Sequence, residues 1–167
     1  MEKKADKEKR FLDILRRYDG VVRRVCFMYV GPQYLFDNLY QETMANLWRG
    51  LDSFRGEAEL STWIYRTTVN TCISWIRHNR RHAGHADIDQ AAYLVAGDDE
   101  SDYEFVKLMY SFISRLDPIE KAIVMMRLDD KSYDEIAEVT GLSRSNVATR
   151  LHRAKEKMKT MTEGIEL

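Results

Sequence analysis

Ser132–Met158 reads SYDEIAEVTGLSRSNVATRLHRAKEKM, and the order of its caps and apolar residues decides the fold of the C-terminal third. Ser132 followed three residues later by Glu135 makes a capping box, which satisfies two backbone N–H groups and starts a helix at Tyr133. That helix carries Ile136 and Ala137 inward and stops at Thr140-Gly141, where glycine takes the positive φ of a tight turn. Ser143 then caps a second helix whose Val147, Leu151, Ala154 and Met158 recur at three- and four-residue spacing. Two short helices joined by a glycine turn are a helix-turn-helix, whose second helix enters the DNA major groove. An ordinary helical hairpin would share the pattern but not the charge. From Ser143 to Lys159 the basic residues are Arg144, Arg150, Arg153, Lys155, Lys157 and Lys159, against one acid, Glu156.

The rest of the 167-residue chain agrees with an all-α protein, having two prolines, eight glycines and few β-branched runs. The longest apolar runs, such as Val25–Val30, are far too short to cross a bilayer, and the charged start MEKKADKEKR has no signal-peptide segment behind it. A cytoplasmic protein without membrane insertion is expected, with Cys26 and Cys72 as packed thiols in a reducing compartment. The net charge of −1 hides an uneven distribution. Residues 1–85 hold fifteen Lys/Arg against ten Asp/Glu, residues 86–102 hold six acids and no base, and residues 103–167 hold eleven of each sign. A basic block, an acidic connector and a domain with one basic helix predict two nucleic-acid contacts joined by a tether.

In chain order, residues 6–30 read as two helices broken near Asp19-Gly20, with Phe11, Leu12 and Leu15 on the first inner face, and Gly31-Pro32 forces a turn. Leu35–Leu51 is an amphipathic helix with Leu39, Thr43, Leu47 and Leu51 inside. Its other face carries Asp37, Asn38, Gln41, Glu42, Asn46 and Trp48, an aromatic among amides and acids, as in protein–protein contact patches. A polar loop, DSFRGEAEL, precedes a helix from Ser61 to about Arg81. No acid occurs between Glu59 and Asp87, while Arg66, Arg77, Arg80 and Arg81 alternate with Trp63, Tyr65 and Trp75. Arginines track phosphates, and ring faces replace the stacking that an unpaired base has lost, so this helix suits melted nucleic acid. Trp75, among Ile64, Val69, Cys72, Ile73 and Ile76, reads as core; Trp63 fits either role. Residues 84–102 are small and acidic, with a helical turn at Gln90–Val95. Tyr103–Leu116 follows with Phe105, Leu108, Met109, Phe112, Ile113 and Leu116 inside, and Asp117-Pro118-Ile119-Glu120 starts the next helix.

FDNLYQETMANLWRGLDSFRGEAELSTWIYRTTVNTCISWIRHNRR and LDPIEKAIVMMRLDDKSYDEIAEVTGLSRSNVATRLHRAKEKM together resemble the extracytoplasmic-function group of sigma factors in the sigma-70 superfamily. The resemblance implies an all-α chain of two small helical domains joined by an acidic flexible linker. Residues 1–85 would be region 2, 86–102 the linker and 103–163 region 4. It implies a sigma factor that binds core RNA polymerase and directs initiation from promoter DNA. Asp37, Asn38, Gln41, Glu42, Asn46 and Trp48 would meet the coiled coil of the β′ subunit, and region 4 the β flap. Phe54, Arg55, Trp63, Arg66, Asn70, Arg77, Arg80 and Arg81 would hold the −10 element, a flipped base among its nucleotides. Arg144, Ser145, Ala148, Thr149, Arg150, His152 and Arg153 would meet the −35 element, Arg150 through phosphate. Ala148 departs from the long basic side chain frequent at its position. An anti-sigma factor is a further partner of the family, and the free chain is expected to be a monomer.

No paired carboxylates, nucleophile–base arrangement or phosphate loop occurs, so no catalytic site is expected. His78, His82 and His85 have ligand-like spacing but lack a fourth ligand, and neither metal nor cofactor is expected. The competing reading is a helix-turn-helix repressor or activator with an N-terminal effector or dimerisation domain. That reading predicts a homodimer and gives no reason for an acid-free helix rich in aromatics.

Overall fold

A computed structural model describes residues 2–30, 33–79, 88–97 and 100–165. Their regular structure is helical: α1 (Glu2–Tyr29), α2 (Gln33–Gly50), α3 (Leu60–His78), α4 (Ile88–Ala96), α5 (Glu100–Ile113), α6 (Pro118–Leu128), α7 (Tyr133–Thr140) and α8 (Arg144–Thr162). The chain divides into two compact units, Met1–Asp87 and Ile88–Leu167.

In the first unit α1, α2 and α3 pack on one another. The expected break at Asp19-Gly20 does not occur: α1 is continuous from Glu2 to Tyr29. A glycine inside a helix costs about 0.5–1 kcal/mol relative to alanine. Burial of Ile14, Val22, Val25, Met28 and Tyr29 along one stripe outweighs it, since each large apolar side chain contributes about 1.5–3 kcal/mol. Asp19 also serves the helix, accepting from Arg23 Nε one turn on at 2.7 Å and from the Tyr40 hydroxyl of α2. Ile14, not Leu12, faces the core; Leu12 is 51 % exposed. The α2 stripe is as expected, with Leu39, Thr43 and Leu47 buried together with Leu51 just beyond the helix. Gly31-Pro32 lies outside the described residues.

Cys26 and Cys72 are free, buried thiols with sulfurs 4.0 Å apart at the α1–α3 contact. Trp75 is core, as its neighbours predicted, and so is Tyr65, whose hydroxyl accepts from Arg24 at 3.2 Å. Tyr65 is therefore not one of the exposed rings of α3.

In the second unit the helical turn foreseen at Gln90–Val95 is the full helix α4, packed on α5 with Ala91 and Ala92 buried. Asp89 accepts from Tyr103 at 2.7 Å and pairs with Lys107 at 2.8 Å, two contacts that hold its carboxyl below the ordinary aspartate range. The compact unit thus begins at Ile88, inside the acidic segment rather than after it. The inner stripe of α5 is also rotated from the expected one. Val106, Tyr110, Phe112 and Ile113 are buried, whereas Phe105 is 68 % exposed and Leu108 is exposed. Apolar residues occur nearly all round this helix, so periodicity alone did not fix its phase.

The caps read from the sequence are present. Asp117 and Glu120 form the capping box of α6 with Pro118 at its start; Ser132 and Glu135 form that of α7. Gly141 ends α7 at φ 72°, in the left-handed region that L side chains avoid. Ser143 then caps α8, accepting from Asn146 N at 3.2 Å. Asp130 takes φ 57° in the α6–α7 turn, a conformation short polar side chains tolerate. Val147, Leu151 and Ala154 bury one side of α8, while Ile136 and Val139 bury one side of α7. Ala137, expected inside with Ile136, is half-buried.

Candidate nucleic-acid and polymerase interfaces

On α3 the outward residues form one stripe. Arg66, Asn70 and Arg77 are exposed, and at 3.6 residues per turn they lie within a narrow arc, flanked by half-buried Trp63. No acid stands on α3, and neither Arg66 nor Arg77 has an ion pair among the described residues. Trp63 does not stand alone. Its ring packs on Phe54 of the preceding loop, centroids 5.0 Å apart and planes at 34°. Beneath it a Cβ added at Gly50 would come within 3.1 Å of Trp63 Cζ2, so a side chain there would require the indole to give by a few tenths of an ångström. The loop that carries exposed Arg55 is therefore anchored by an aromatic pair resting on the end of α2. Arg80, Arg81, His82 and His85 lie outside the described residues. His78 is within them, its Nδ1 2.7 Å from the Ser74 carbonyl, and no group of three metal-ligating side chains occurs among the described residues.

On α2 the expected polymerase face divides in two. Asp37, Asn38, Gln41 and Glu42 are exposed on one side, and Ala45 and Arg49 extend it by the same spacing. Asn46 and Trp48 belong elsewhere. Asn46 Nδ2 donates to Thr71 Oγ1 of α3 at 2.9 Å, and Trp48 is half-buried under α1. Phe11 meets the indole edge-on at 5.3 Å, and Lys7 Nζ sits 4.4 Å above its ring while pairing with Asp52. A residue beside amides and acids in sequence was thus an internal contact. The missing signal was its distance from α1, which no local pattern encodes.

A second cluster stiffens the α1–α2 contact. Tyr40 is part-buried with its hydroxyl on Asp19, and the Arg23 guanidinium lies 4.4 Å over its ring. Burial, and then the hydrogen bond to Asp19, pushes the phenol up to about 12. The same carboxylate raises Arg23.

On α8 the exposed side carries Arg144, Ser145, Asn146, Thr149, His152 and Arg153. Asn146, missed in the sequence, joins the set because it is exposed, while its backbone N–H serves the Ser143 cap. Ala148 and Arg150 are half-buried at the flanks. Two of the six cations are engaged within the protein. Arg144 Nη1 pairs with Asp134 of α7 at 3.1 Å, an exposed bond linking the two helices of the motif. Lys157 Nζ contacts both carboxylate oxygens of Glu120, at 2.7 and 2.8 Å. Glu120 is only 4 % exposed and also closes the capping box of α6, so this pair ties α8 to α6.

The family models described as sigma-70 region 2 and sigma-70 region 4 match residues 14–82 and 107–158. The chain is similar to the RNA polymerase sigma factor YlaC of Bacillus subtilis, 29% identical over 162 residues, covering 92% of this chain and 93% of that one. It is also similar to the ECF RNA polymerase sigma-E factor of Haemophilus influenzae, 28% identical with 89% and 85% covered. Among solved structures it shares its fold with CnrH in complex with the cytosolic domain of CnrY (TM-score 0.68, 19% identity, 95% and 91% covered). A second is the sigma factor RpoE in complex with the anti-sigma factor NepR from Bartonella quintana (TM-score 0.70, 15% identity, 95% and 99% covered).

The chain belongs to the sigma-70 family of sigma factors. Within that family it is an extracytoplasmic-function sigma factor, a protein that directs transcription initiation. No helix among the described residues is long and apolar enough to cross a membrane.

Proposed function

We propose a division of labour between the two units. In residues 1–85, the exposed α2 side chains Asp37, Asn38, Gln41 and Glu42 dock on the coiled coil of the polymerase β′ subunit, with Asn46 and Trp48 holding that helix in place from behind. The Phe54–Leu60 loop and the α3 stripe hold the −10 element once it opens, with Asn70 at the flipped base and Arg55, Arg66, Arg77, Arg80 and Arg81 on the backbone. In residues 103–163, α8 reads the −35 element through Arg144, Ser145, Thr149, His152 and Arg153, with Arg150 on phosphate, Ala148 at the margin of the contact, and the unit itself on the β flap. The chain ahead of Ile88, where the second unit begins, tethers the two. The chain acts in the cytoplasm as a monomer, without cofactor or catalysis of its own, and an anti-sigma factor regulates its access to polymerase.

The observation that carries this reading is the acid-free α3 stripe, Arg66, Asn70 and Arg77 beside Trp63, with no ion pair among the described residues to occupy its cations. A repressor needs no such surface. The chain mixed with core RNA polymerase should start transcripts at specific sites on genomic DNA; the absence of any promoter-dependent transcript would sink the proposal. Changing Asp37, Gln41 and Glu42 to lysine should abolish polymerase binding while leaving the helical circular dichroism intact. Unchanged affinity would remove the α2 assignment.

A further inference from the structure

Two thiols face each other in the core of the first unit. Cys26 of α1 and Cys72 of α3 are each 0 % exposed, and their sulfurs stand 4.0 Å apart. A second bond crosses the same contact and fixes its register, Arg24 Nη2 donating to the Tyr65 hydroxyl at 3.2 Å. Thr43 of α2 lies on the far side of Cys26. Its hydroxyl donates to the Leu39 carbonyl at 2.8 Å, so toward Cys26 Sγ, 3.9 Å away, it can only accept. The Cys26 thiol proton is thereby directed at Thr43, and the sulfur's lone pairs are left facing Cys72.

We propose that Cys26 and Cys72 are an intrachain disulfide site, closed by a small neutral oxidant of the hydrogen peroxide class, which locks α1 to α3 while leaving the exposed faces of α2 and α3 as they are. Burial decides the chemistry. A metal held by two thiolates would leave net negative charge in an apolar core, which is costly, and two sulfurs with one hydroxyl fall short of the four ligands that zinc takes. A disulfide instead replaces two neutral thiols with one neutral bond. Burial also selects the oxidant. Sulfurs without exposed surface are reached only when α1 and α3 part briefly, an opening that admits a molecule little larger than water before one the size of glutathione disulfide. One sulfur, as thiolate, attacks a peroxide oxygen and becomes a sulfenic acid, and the departing oxygen leaves as water. The other sulfur attacks the sulfenic sulfur, the S–S bond forms, and a second water leaves. Two thiols thus give up two electrons and two protons to one peroxide. The sulfurs close from 4.0 Å to about 2.05 Å. The linked loop, residues 26–72, contains the whole of α2, so the bond restricts the unfolded chain far more than the folded one. Cys72 lies about 200° round α3 from Asn70, nearly opposite the exposed Arg66, Asn70 and Arg77. Neither sulfur belongs to a surface assigned above to polymerase or DNA, so the site stands whether or not those assignments do.

The test compares the full chain treated with hydrogen peroxide and the same chain kept in dithiothreitol. Peroxide should remove both thiols from alkylation in denaturant and yield, in a non-reducing digest, one peptide pair joining Cys26 to Cys72. The thermal midpoint read by tryptophan fluorescence should rise by on the order of 10 °C and return when dithiothreitol is added in mild urea. Cys72→Ala given the same peroxide controls for methionine oxidation and should show no rise; if that variant does not fold, the oxidised and re-reduced parent still decide the matter. Promoter-dependent transcription with core polymerase should be the same for linked and reduced chains. Thiols that still alkylate after the methionines have been oxidised would overturn the site. So would sulfonic acids, a bond between two chains, or a linked chain that melts no higher than the reduced one. Loss of transcription on linking would overturn the claim that the exposed faces are left as they are. A copper(I) ion that blocks alkylation and survives glutathione would make the pair a metal site instead.

Discussion

Helices α3 and α8 are the two basic helices assigned to DNA, yet they handle their cations in opposite ways. On α3, Arg66 and Arg77 extend into solvent without an acidic neighbour on the same helix. On α8, Arg144 pairs with Asp134 and Lys157 with Glu120, leaving Arg150, Arg153, Lys155 and Lys159 without ion pairs among the described residues. A helix that enters a groove of fixed dimensions gains from side chains set in advance, because less conformational freedom is lost on binding. A helix that catches a strand whose path forms only as the duplex opens gains from side chains still able to follow it. On the proposed assignment, the same residue types would serve rigid readout in one unit and adaptable capture in the other.

The sharpest way to break this comparison is to strip the α3 stripe. Arg66→Ala/Asn70→Ala/Arg77→Ala should abolish opening of a linear duplex promoter and be largely rescued on a template already unpaired over the −10 element, with permanganate reactivity reporting the opening. Arg150→Ala/Arg153→Ala should weaken both templates alike. Salt titrations distinguish the two surfaces further. Losing two single-strand phosphate contacts lowers the slope of log affinity against log salt by about 1.4, and losing two duplex contacts lowers it by about 1.8.

Next in size is the pair of lysines on α8. Lys157→Ala leaves the Glu120 carboxylate buried without its partner, and should cost about 1–3 kcal/mol in urea unfolding. Lys155→Ala should leave stability unchanged and weaken DNA binding only. Equal stability in the two variants would show that Lys157 is a surface cation like the others.

The two units should also part company at high pH. Tyr40 has a folded pKa raised to about 12, above the unfolded value near 10. Its contribution is therefore fully present below pH about 10 and is lost as pH rises through about 12. All three tryptophans lie in the first unit, so their fluorescence during unfolding follows that unit alone. Tyr40→Phe should flatten the alkaline loss of stability seen by fluorescence; an unchanged profile would remove Tyr40 as its cause. The smallest effect is expected at Asp134→Ala. An exposed ion pair contributes about 0.2–1 kcal/mol, so stability should barely change while promoter discrimination falls as Arg144 loses its orientation. Unaltered discrimination would mean that Arg144 needs no such support.

These contrasts were only partly visible in the sequence. The caps at Asp117, Ser132 and Ser143 and the turn at Gly141 were legible because each is a local rule, closed within four residues. So were the α2 core stripe and the acid-free run through α3. The continuous α1 was not, since a glycine's local cost is set against burial along the whole helix. Phe105 and Trp48 misled for a shared reason: an apolar residue can be assigned to a face only when its partner is known. For Trp48 that partner is α1, about forty residues earlier in the chain. The pairing of Lys157 with Glu120 spans 37 residues and left no local trace at all.

Gly50 gives the first unit a property that none of these contacts states alone. The Trp63 ring stands 3.1 Å from where a Gly50 Cβ would be and also packs on Phe54, so one indole links the end of α2 to the loop. A side chain at position 50 would have to move the indole by a few tenths of an ångström, and that indole packs on the loop through Phe54. The helix proposed to meet polymerase and the loop proposed to hold DNA are thus joined through one ring, at the point where α2 has no side chain. Gly50→Ala would press on that ring without altering either proposed surface.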